Sequence, residues 1–416
     1  MRIAVIGSGI SGLSIANLLK DDHKVVVYEK NNLAGGLIKC ERVNDCLFHK
    51  VGGHVFNSRN QKVLDWFWSY FDQSTEFVKA VRNAKVYYNE QIIGYPIENF
   101  LYHLEKENTS KIIDELLSLQ KIGAKDPFDY ESFEHFLIGT FGQTLYDLYF
   151  KPYNNKIWRT DLSTVSMQWL EGKLPMPQLS EIIKSNIFRE EENSMVHSTF
   201  FYPKENGSQF IVDRLKRGLT IITDGMVDEV IFDDGFKLIK GEQFDKVVYC
   251  GDIRKMPASF DSLLSEAGVD LDYIRNLRSN GTSNLFCETD DNDISWLYIP
   301  QDFTRAHRII YTGNFSETNN RGSSRKTCVV EFSGKLTYEE MLSEIRHLPG
   351  NLVPISSNYE PNSYVVQDHY TRAVVNNVKR ILESKGVFLL GRFAEWEYYN
   401  MDKAIEAAFQ VQDKLN

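Results

Sequence analysis

Apolar positions open the chain as short runs. Residues 2–6 (RIAVI) form a β-branched run of the kind that makes a buried parallel strand, residues 13–20 follow with helical spacing, and a second apolar run at 24–28 ends at Glu29. A strand, a helix and a strand in that order predict a βαβ unit. Between 60 and 200 the pattern changes to aromatic-rich helical segments, at 62–71, 111–119 and 133–150. Short strands return at 219–223, 227–232, 236–239 and 246–250, separated by Asp/Gly turns. A further β-rich portion, 283–370, contains runs at 284–288, 308–312 and 327–332. Residues 387–390 then read as a buried strand leading to Gly391, before a closing helix over 401–415. The pattern predicts an α/β chain with a discontinuous Rossmann-like domain (1–60, 201–260 and 380–416), a mainly helical insertion (61–200) and an antiparallel sheet domain (261–379).

Composition narrows the function classes. With 416 residues, 42% hydrophobic and 25% charged, usage is that of a folded globular protein. A net charge of −10, from 47 basic and 57 acidic residues, excludes a general nucleic-acid binder, which needs a basic field. Any anionic ligand must meet locally placed cations. The five cysteines are odd in number and none forms a CxxC pair, which argues against a disulfide scaffold and against metal sites. No run of about 18 uncharged apolar residues is present, so a transmembrane segment is not expected and the cytoplasm is the default compartment.

The turn between the first strand and helix is GSGISG, with Gly7, Gly9 and Gly12 in the G-x-G-x-x-G spacing. Gly7 permits the tight turn, Gly9 allows close backbone approach to a pyrophosphate, and Gly12 allows the helix to pack on the strand. Amides at the helix start supply the positive end for phosphates. Glu29, seventeen positions after Gly12, stands where a carboxylate accepts from ribose hydroxyls. Gly35 and Gly36 follow in EKNNLAGGL; a nicotinamide-only protein has no special need for that pair, whereas a two-domain flavoprotein uses it to pass the chain close to an extended cofactor. FAD is therefore preferred to NAD.

Three further segments carry a resemblance to a known family. HKVGGHVF at 49–56 resembles H-x-x-G-x-H-x-F, YNNKIW at 153–158 resembles Y-T-x-K-Q-W, and GRFAEWEYYNM at 391–401 is similar to G-R-L-x-x-Y-x-Y-x-D-M. Together and in this order they resemble the UDP-galactopyranose mutases, a family of FAD-dependent nucleotide-sugar pyranose/furanose mutases that includes dTDP-fucopyranose mutase. Amine oxidase and protoporphyrinogen oxidase folds stand behind that family and supply the alternative reading. The resemblance implies an isomerase that acts with reduced FAD. The flavin N5 attacks the anomeric carbon as the nucleoside diphosphate leaves, and the product is a furanose donor for surface polysaccharide or O-antigen. It also implies an outside reductant such as NAD(P)H or a flavin reductase, and it allows a homodimer.

The resemblance assigns roles residue by residue. His54 lies near the flavin and Arg308 grips the diphosphate, with Arg305 three residues away as the other match; His49 is structural. Lys30, Val227, Arg392 and Met401 join the glycines and Glu29 around the cofactor. Tyr153 stacks on the base, Trp158 borders the sugar, and the hydroxyls of Tyr364 and Tyr398 reach the diphosphate. Two departures stand out. Where the family has a loop arginine in R-I-P-V-R, this chain has KLPMP at 173–177, so that arm is missing or replaced by Lys173. Asn400 stands where the family has aspartate.

Overall fold

The computed structural model describes residues 1–123, 125–170, 178–189, 199–233 and 235–415. Its parallel sheet has the strand order Val387–Leu389, Lys246–Tyr249, Arg2–Ile6, Lys24–Tyr28, Thr220–Ile222. Successive side chains of a strand point to opposite faces, and both faces here are covered. Ile3, Val5, Val25 and Val27 pack on the helices Ile10–Leu19 and Met401–Leu415. Ala4, Ile6, Val26 and Tyr28 face the other way, toward Phe260 and Leu264 of helix Ala258–Glu266 and Val375, Val378 and Leu382 of helix Thr371–Ser384. The last three are spaced three and four apart, one stripe of a helix.

The second sheet runs Val353–Val365, Ser279–Thr289, Lys326–Ser333, Ala306–Ile310, Trp296–Tyr298, Ala84–Tyr88, Gln91–Gly94. It is antiparallel except where Trp296–Tyr298 pairs with Ala84–Tyr88. One face packs Leu285, Cys287, Ala306, Ile309, Cys328, Val330 and Phe332 against Met341 and Ile345. On the other face Trp296, Tyr298 and Ile310 join an aromatic core shared with helices Phe133–Phe141 and Lys151–Trp158.

The structure departs from the sequence expectation in several places, and helix Thr371–Ser384, begun in the expected sheet domain (261–379), covers the parallel sheet instead. Residues 77–94, expected in the helical insertion, form strands: Phe77–Val81 pairs with Thr199–Pro203, and Ala84–Tyr88 and Gln91–Gly94 extend the second sheet. Tyr and Val in AKVYY suit a pleated surface as well as a helix face, and only the neighbouring edge strand decides between them. Helix Gln61–Tyr70, placed in the same insertion, buries Val63 and Phe67 among Leu13, Ile211 and Met401, beside the dinucleotide unit. The run expected at 227–232 appears as Ile231–Asp233 in a separate ribbon with Phe236–Ile239 and Glu242–Phe244.

Candidate active site

Three strand ends meet at the glycine turn. The Gly7 amide donates to the Tyr28 carbonyl (2.7 Å) and Cys250 to that of Ile6 (2.8 Å), drawing the first, second and fourth of the chain's parallel strands together. Gly12 is the tightest point: a Cβ there would lie 1.9 Å from the Gly7 oxygen. Gly391, with φ +104°, brings the last strand against Ser11, where a Cβ would meet the hydroxyl at 2.7 Å. By contrast a Cβ on Gly9 would meet only Gly36, at 3.7 Å, so Gly9 and Gly36 leave an open cradle of backbone. Such a cradle fits the pyrophosphate of a dinucleotide.

Glu29 is buried at the end of its strand, where it accepts from the Ser8 amide (3.1 Å) and hydroxyl (2.6 Å) and from the Asn31 amide and side chain (both 2.9 Å). Its carboxylate therefore braces the turn. Lys30 is exposed at the same strand end, Val227 is half-buried against the parallel-sheet core, and Met401 opens the closing helix.

The helix Lys151–Trp158 follows a π-helical turn, Tyr146–Phe150, and its last turn is fastened to the second sheet. The Lys156 ammonium donates to the carbonyls of Ile299 (2.9 Å), Ala306 (3.0 Å) and Gln301. Burial pushes its pKa down to about 7, with Asp302 and Glu344 opposing. Asn280 and Ser333 donate to the Ile157 carbonyl (both 2.9 Å), supplying partners that a helix end lacks. Lysine in this motif is thus a staple, and what it positions is aromatic. Tyr153 lies edge-on to Tyr298 (ring centroids 5.5 Å apart) and stacks beside Tyr149 (5.8 Å). Trp158, its indole N–H on Asn154 (3.1 Å), sits within 6.4 Å of Trp169, Tyr364 and Tyr398. Tyr364 and Tyr398 are parallel at 5.9 Å.

A β-bulge sets the charges. Ala306 pairs with Phe332, yet Arg308 pairs with Glu331, so one extra residue lies on the Ala306–Ile310 strand. Ala306 faces the Met341 side; without the bulge Arg308 would face it too. Instead Arg308 and His307 both turn to the aromatic side and meet Glu331, which is fully buried. Arg308 pairs with the carboxylate, His307 Nε2 lies 3.4 Å from it, and the Gly52 amide donates to it at 2.6 Å. Burial alone would push the Glu331 carboxyl up, but Arg308 and His307 hold it well below the usual carboxylate range. Arg305 points elsewhere: it is half-exposed and paired with Glu340 and Glu344.

His54 faces the same cluster. Burial, then the positive field of Arg392, holds its pKa down to about 4, and its Nε2 is buried with no partner. Behind it His49 is fully buried, bonded to the Tyr202 hydroxyl (2.8 Å) and pushed down to about 3 by burial and by His54. Arg392 donates to the carbonyls of Ser363 (3.1 Å) and Tyr399 and lies 4.5 Å over the Tyr398 ring; among the described residues no carboxylate pairs with it. One residue after Gly391, it links the glycine turn to the aromatic cleft. His54, Tyr153, Trp158, Arg308, Tyr364, Arg392 and Tyr398 are thus brought together, while Lys173 lies outside the described residues.

Three residues of the cleft, Glu331, Tyr298 and Arg82, were missed by sequence reasoning. Glu331 carries a signal, a lone acid inside the apolar run CVVEF. Arg82, which donates to the Tyr298 hydroxyl at 2.6 Å, carries none.

The family description NAD(P)-binding Rossmann-like domain matches residues 5–72. UDP-galactopyranose mutase of Mycoplasma genitalium is 22% identical across 99% of this chain and 94% of its own length. The chain resembles that mutase from end to end. dTDP-fucopyranose mutase of Escherichia coli is likewise 22% identical, across 98% of this chain and 97% of its own. A crystal structure of reduced UDP-galactopyranose mutase superposes with a TM-score of 0.85 at 19% identity, covering 100% of this chain and 93% of the other. A putative protoporphyrinogen oxidase from Exiguobacterium sp. 255-15 gives 0.73 at 12% identity, covering 100% and 98%. The mutase fold is therefore the better match to the arrangement described above.

Proposed function

We propose that the chain is a nucleotide-sugar mutase that holds FAD in its reduced form and interconverts the pyranose and furanose rings of a nucleotide-activated hexose, UDP-galactose or a 6-deoxy relative such as dTDP-fucose. The observation that carries this reading is the joining of two sites: the glycine cradle continues through Gly391 and Arg392 into a cleft walled by aromatic rings and set with arginines. Cations there suit an anionic diphosphate better than an amine, which is itself a cation at neutral pH. The unpartnered Nε2 of His54, at the meeting of the two sites, fits a bound flavin ring.

Reduced flavin would supply the nucleophile for the anomeric carbon. The protein's own residues bind and stabilise charge. Arg308, held rigid by Glu331, presents its guanidinium to the departing diphosphate, with the Tyr364 and Tyr398 hydroxyls alongside. Neutral His54 offers its ring nitrogen as a hydrogen-bond partner without adding charge. Tyr153 provides a flat face for the base and Trp158 a wall for the sugar. Lys30, Val227 and Met401 complete the cofactor surround, and Lys173 is proposed to approach the diphosphate.

The furanose product would feed surface polysaccharide or O-antigen synthesis, with NAD(P)H or a flavin reductase keeping the flavin reduced and a homodimer as the proposed assembly. Five free cysteines suit the cytoplasm. Among the described residues no helix is long and apolar enough to cross a membrane. Anaerobic incubation of dithionite-reduced protein with a panel of nucleotide sugars, followed by chromatography, should yield a furanose isomer. No furanose from any of them, with steady hydrogen peroxide from an amine or porphyrinogen, would replace this reading with the oxidase one, which the shared fold alone favours.

A further inference from the structure

Arg82 lies between the strands Phe77–Val81 and Ala84–Tyr88, the second of which pairs with Trp296–Tyr298. Among the described residues no carboxylate answers its charge. Arg214, Arg254, Arg308 and Arg372 each have an acid partner, in Glu76, Asp252, Glu331 and Glu397 respectively. Arg82 has the Tyr298 hydroxyl at 2.6 Å and the rings of Tyr95 and Trp296, at 5.5 and 5.4 Å. Its Nε is buried without a partner. Burial works against the charge, and the phenols of Tyr298, Tyr95 and Tyr153 sustain it. A cation set in this way is costly unless an anion arrives to meet it.

The same rings join Arg82 to the other arginine of the cleft. Tyr298 is the cross-strand partner of Arg308, and Tyr153 packs edge-on against Tyr298. Tyr153 also feels the charge of Arg308. Tyr153 and Tyr298 therefore stand near both guanidiniums. We propose that Arg82 is a second arm of the diphosphate grip, its guanidinium meeting a phosphate of the bound nucleoside diphosphate opposite Arg308, in place of the loop arginine that Pro177 displaces. This rests on the nucleotide-sugar reading above. Arg308 is already neutralised by Glu331, so a doubly charged diphosphate needs countercharge from the cations that have no carboxylate partner among the described residues, Arg392 and Arg82. A planar fork with one edge pinned by Tyr298 keeps its remaining N–H groups free for phosphate oxygens.

The test is calorimetric titration of the flavin-loaded full chain with UDP, dTDP and uridine at low and high salt. Arg82→Gln should weaken UDP or dTDP binding by about 10- to 100-fold and flatten its salt dependence, while uridine affinity stays within about twofold and flavin content is unchanged. Arg82→Lys should recover part of the loss. Tyr298→Phe, which frees the guanidinium without removing it, should cost diphosphate affinity severalfold. A role confined to packing would lower uridine and UDP binding alike, and that result overturns the proposal, as does unchanged UDP and dTDP affinity. If Arg82→Gln does not fold, Arg82→Lys and Tyr298→Phe decide by the same criterion. A wild type that binds neither UDP nor dTDP overturns the nucleotide-sugar reading and this proposal with it, whereas a wild type that binds them as tightly as its variants overturns the proposal alone.

Discussion

The glycine turn and the aromatic cleft are adjacent, yet they are built in opposite ways. The turn takes its geometry from one stretch, residues 6–12, with Gly391 closing it from the far end of the chain. Its cradle at Gly9 and Gly36 is backbone, held in place by the neighbouring strands of the parallel sheet. The cleft takes His54, Arg82, Tyr153, Trp158, Tyr298, Arg308, Glu331, Tyr364 and Arg392 from segments scattered over more than 300 residues, and its function rests on side chains. The contrast teaches where each site is fragile. A turn made of backbone fails when space is taken away, and a cleft made of buried charges fails when a partner is removed.

Substitutions can break that contrast, beginning with the largest effect. Gly12→Ala puts a Cβ 1.9 Å from a backbone oxygen, a clash well beyond the ~1–3 kcal/mol of ordinary overpacking, so folded protein should be lost. Gly9→Val has room to fold but fills the cradle; it should give a cooperative thermal transition and a colourless protein. Visible flavin absorbance in purified Gly9→Val would show that the cradle is not the pyrophosphate site. In the cleft, Glu331→Ala leaves Arg308 and His307 without their buried partner and should cost ~3–5 kcal/mol, read from urea unfolding. A loss under about 1 kcal/mol would mean that solvent reaches the pair.

Arg308→Ala should lower turnover of the nucleotide sugar by about a hundredfold while flavin content is kept, because the proposed role of the guanidinium is to meet substrate and not cofactor. Equal loss of both would place it on the cofactor side and erase the distinction drawn here. The smallest effect is on pH. The pKa values of His49 and His54 are depressed in the folded protein, to about 3 and 4, below the ordinary 6.5. The unfolded chain therefore takes up protons first, and stability is full above pH ~7 and falls as pH drops through ~6.5. For fully buried His49 alone the fall between about pH 7.5 and 5.5 is ~1.4 kcal/mol. Urea melts across that range should show it, and His49→Gln should flatten the slope.

Legibility in the sequence followed the same division. The βαβ unit, the glycine spacing and Glu29 could be read directly, because strand, turn and helix are neighbours along the chain and each has a local pattern. What could not be read locally was which edge a borderline strand would join. Ala84–Tyr88 became part of the second sheet because Trp296–Tyr298 offered a partner. The family motifs located Tyr153 and Trp158, but not that Lys156 between them ties three carbonyls of the sheet.

By itself, the sequence determined the dinucleotide turn, which rests on a short pattern whose physics is local, whereas Tyr153, Trp158 and Arg308 were found through a family resemblance and Arg82 carried no signal. Only the tertiary structure decided which way those side chains point. The extra residue between Ala306 and Arg308 reverses the alternation of the strand and delivers Arg308 to Glu331 and the aromatic face, leaving Arg305 paired outside. Such a reversal depends on the pairing of two distant strands, and pairing is a property of the folded sheet that no window along the chain contains.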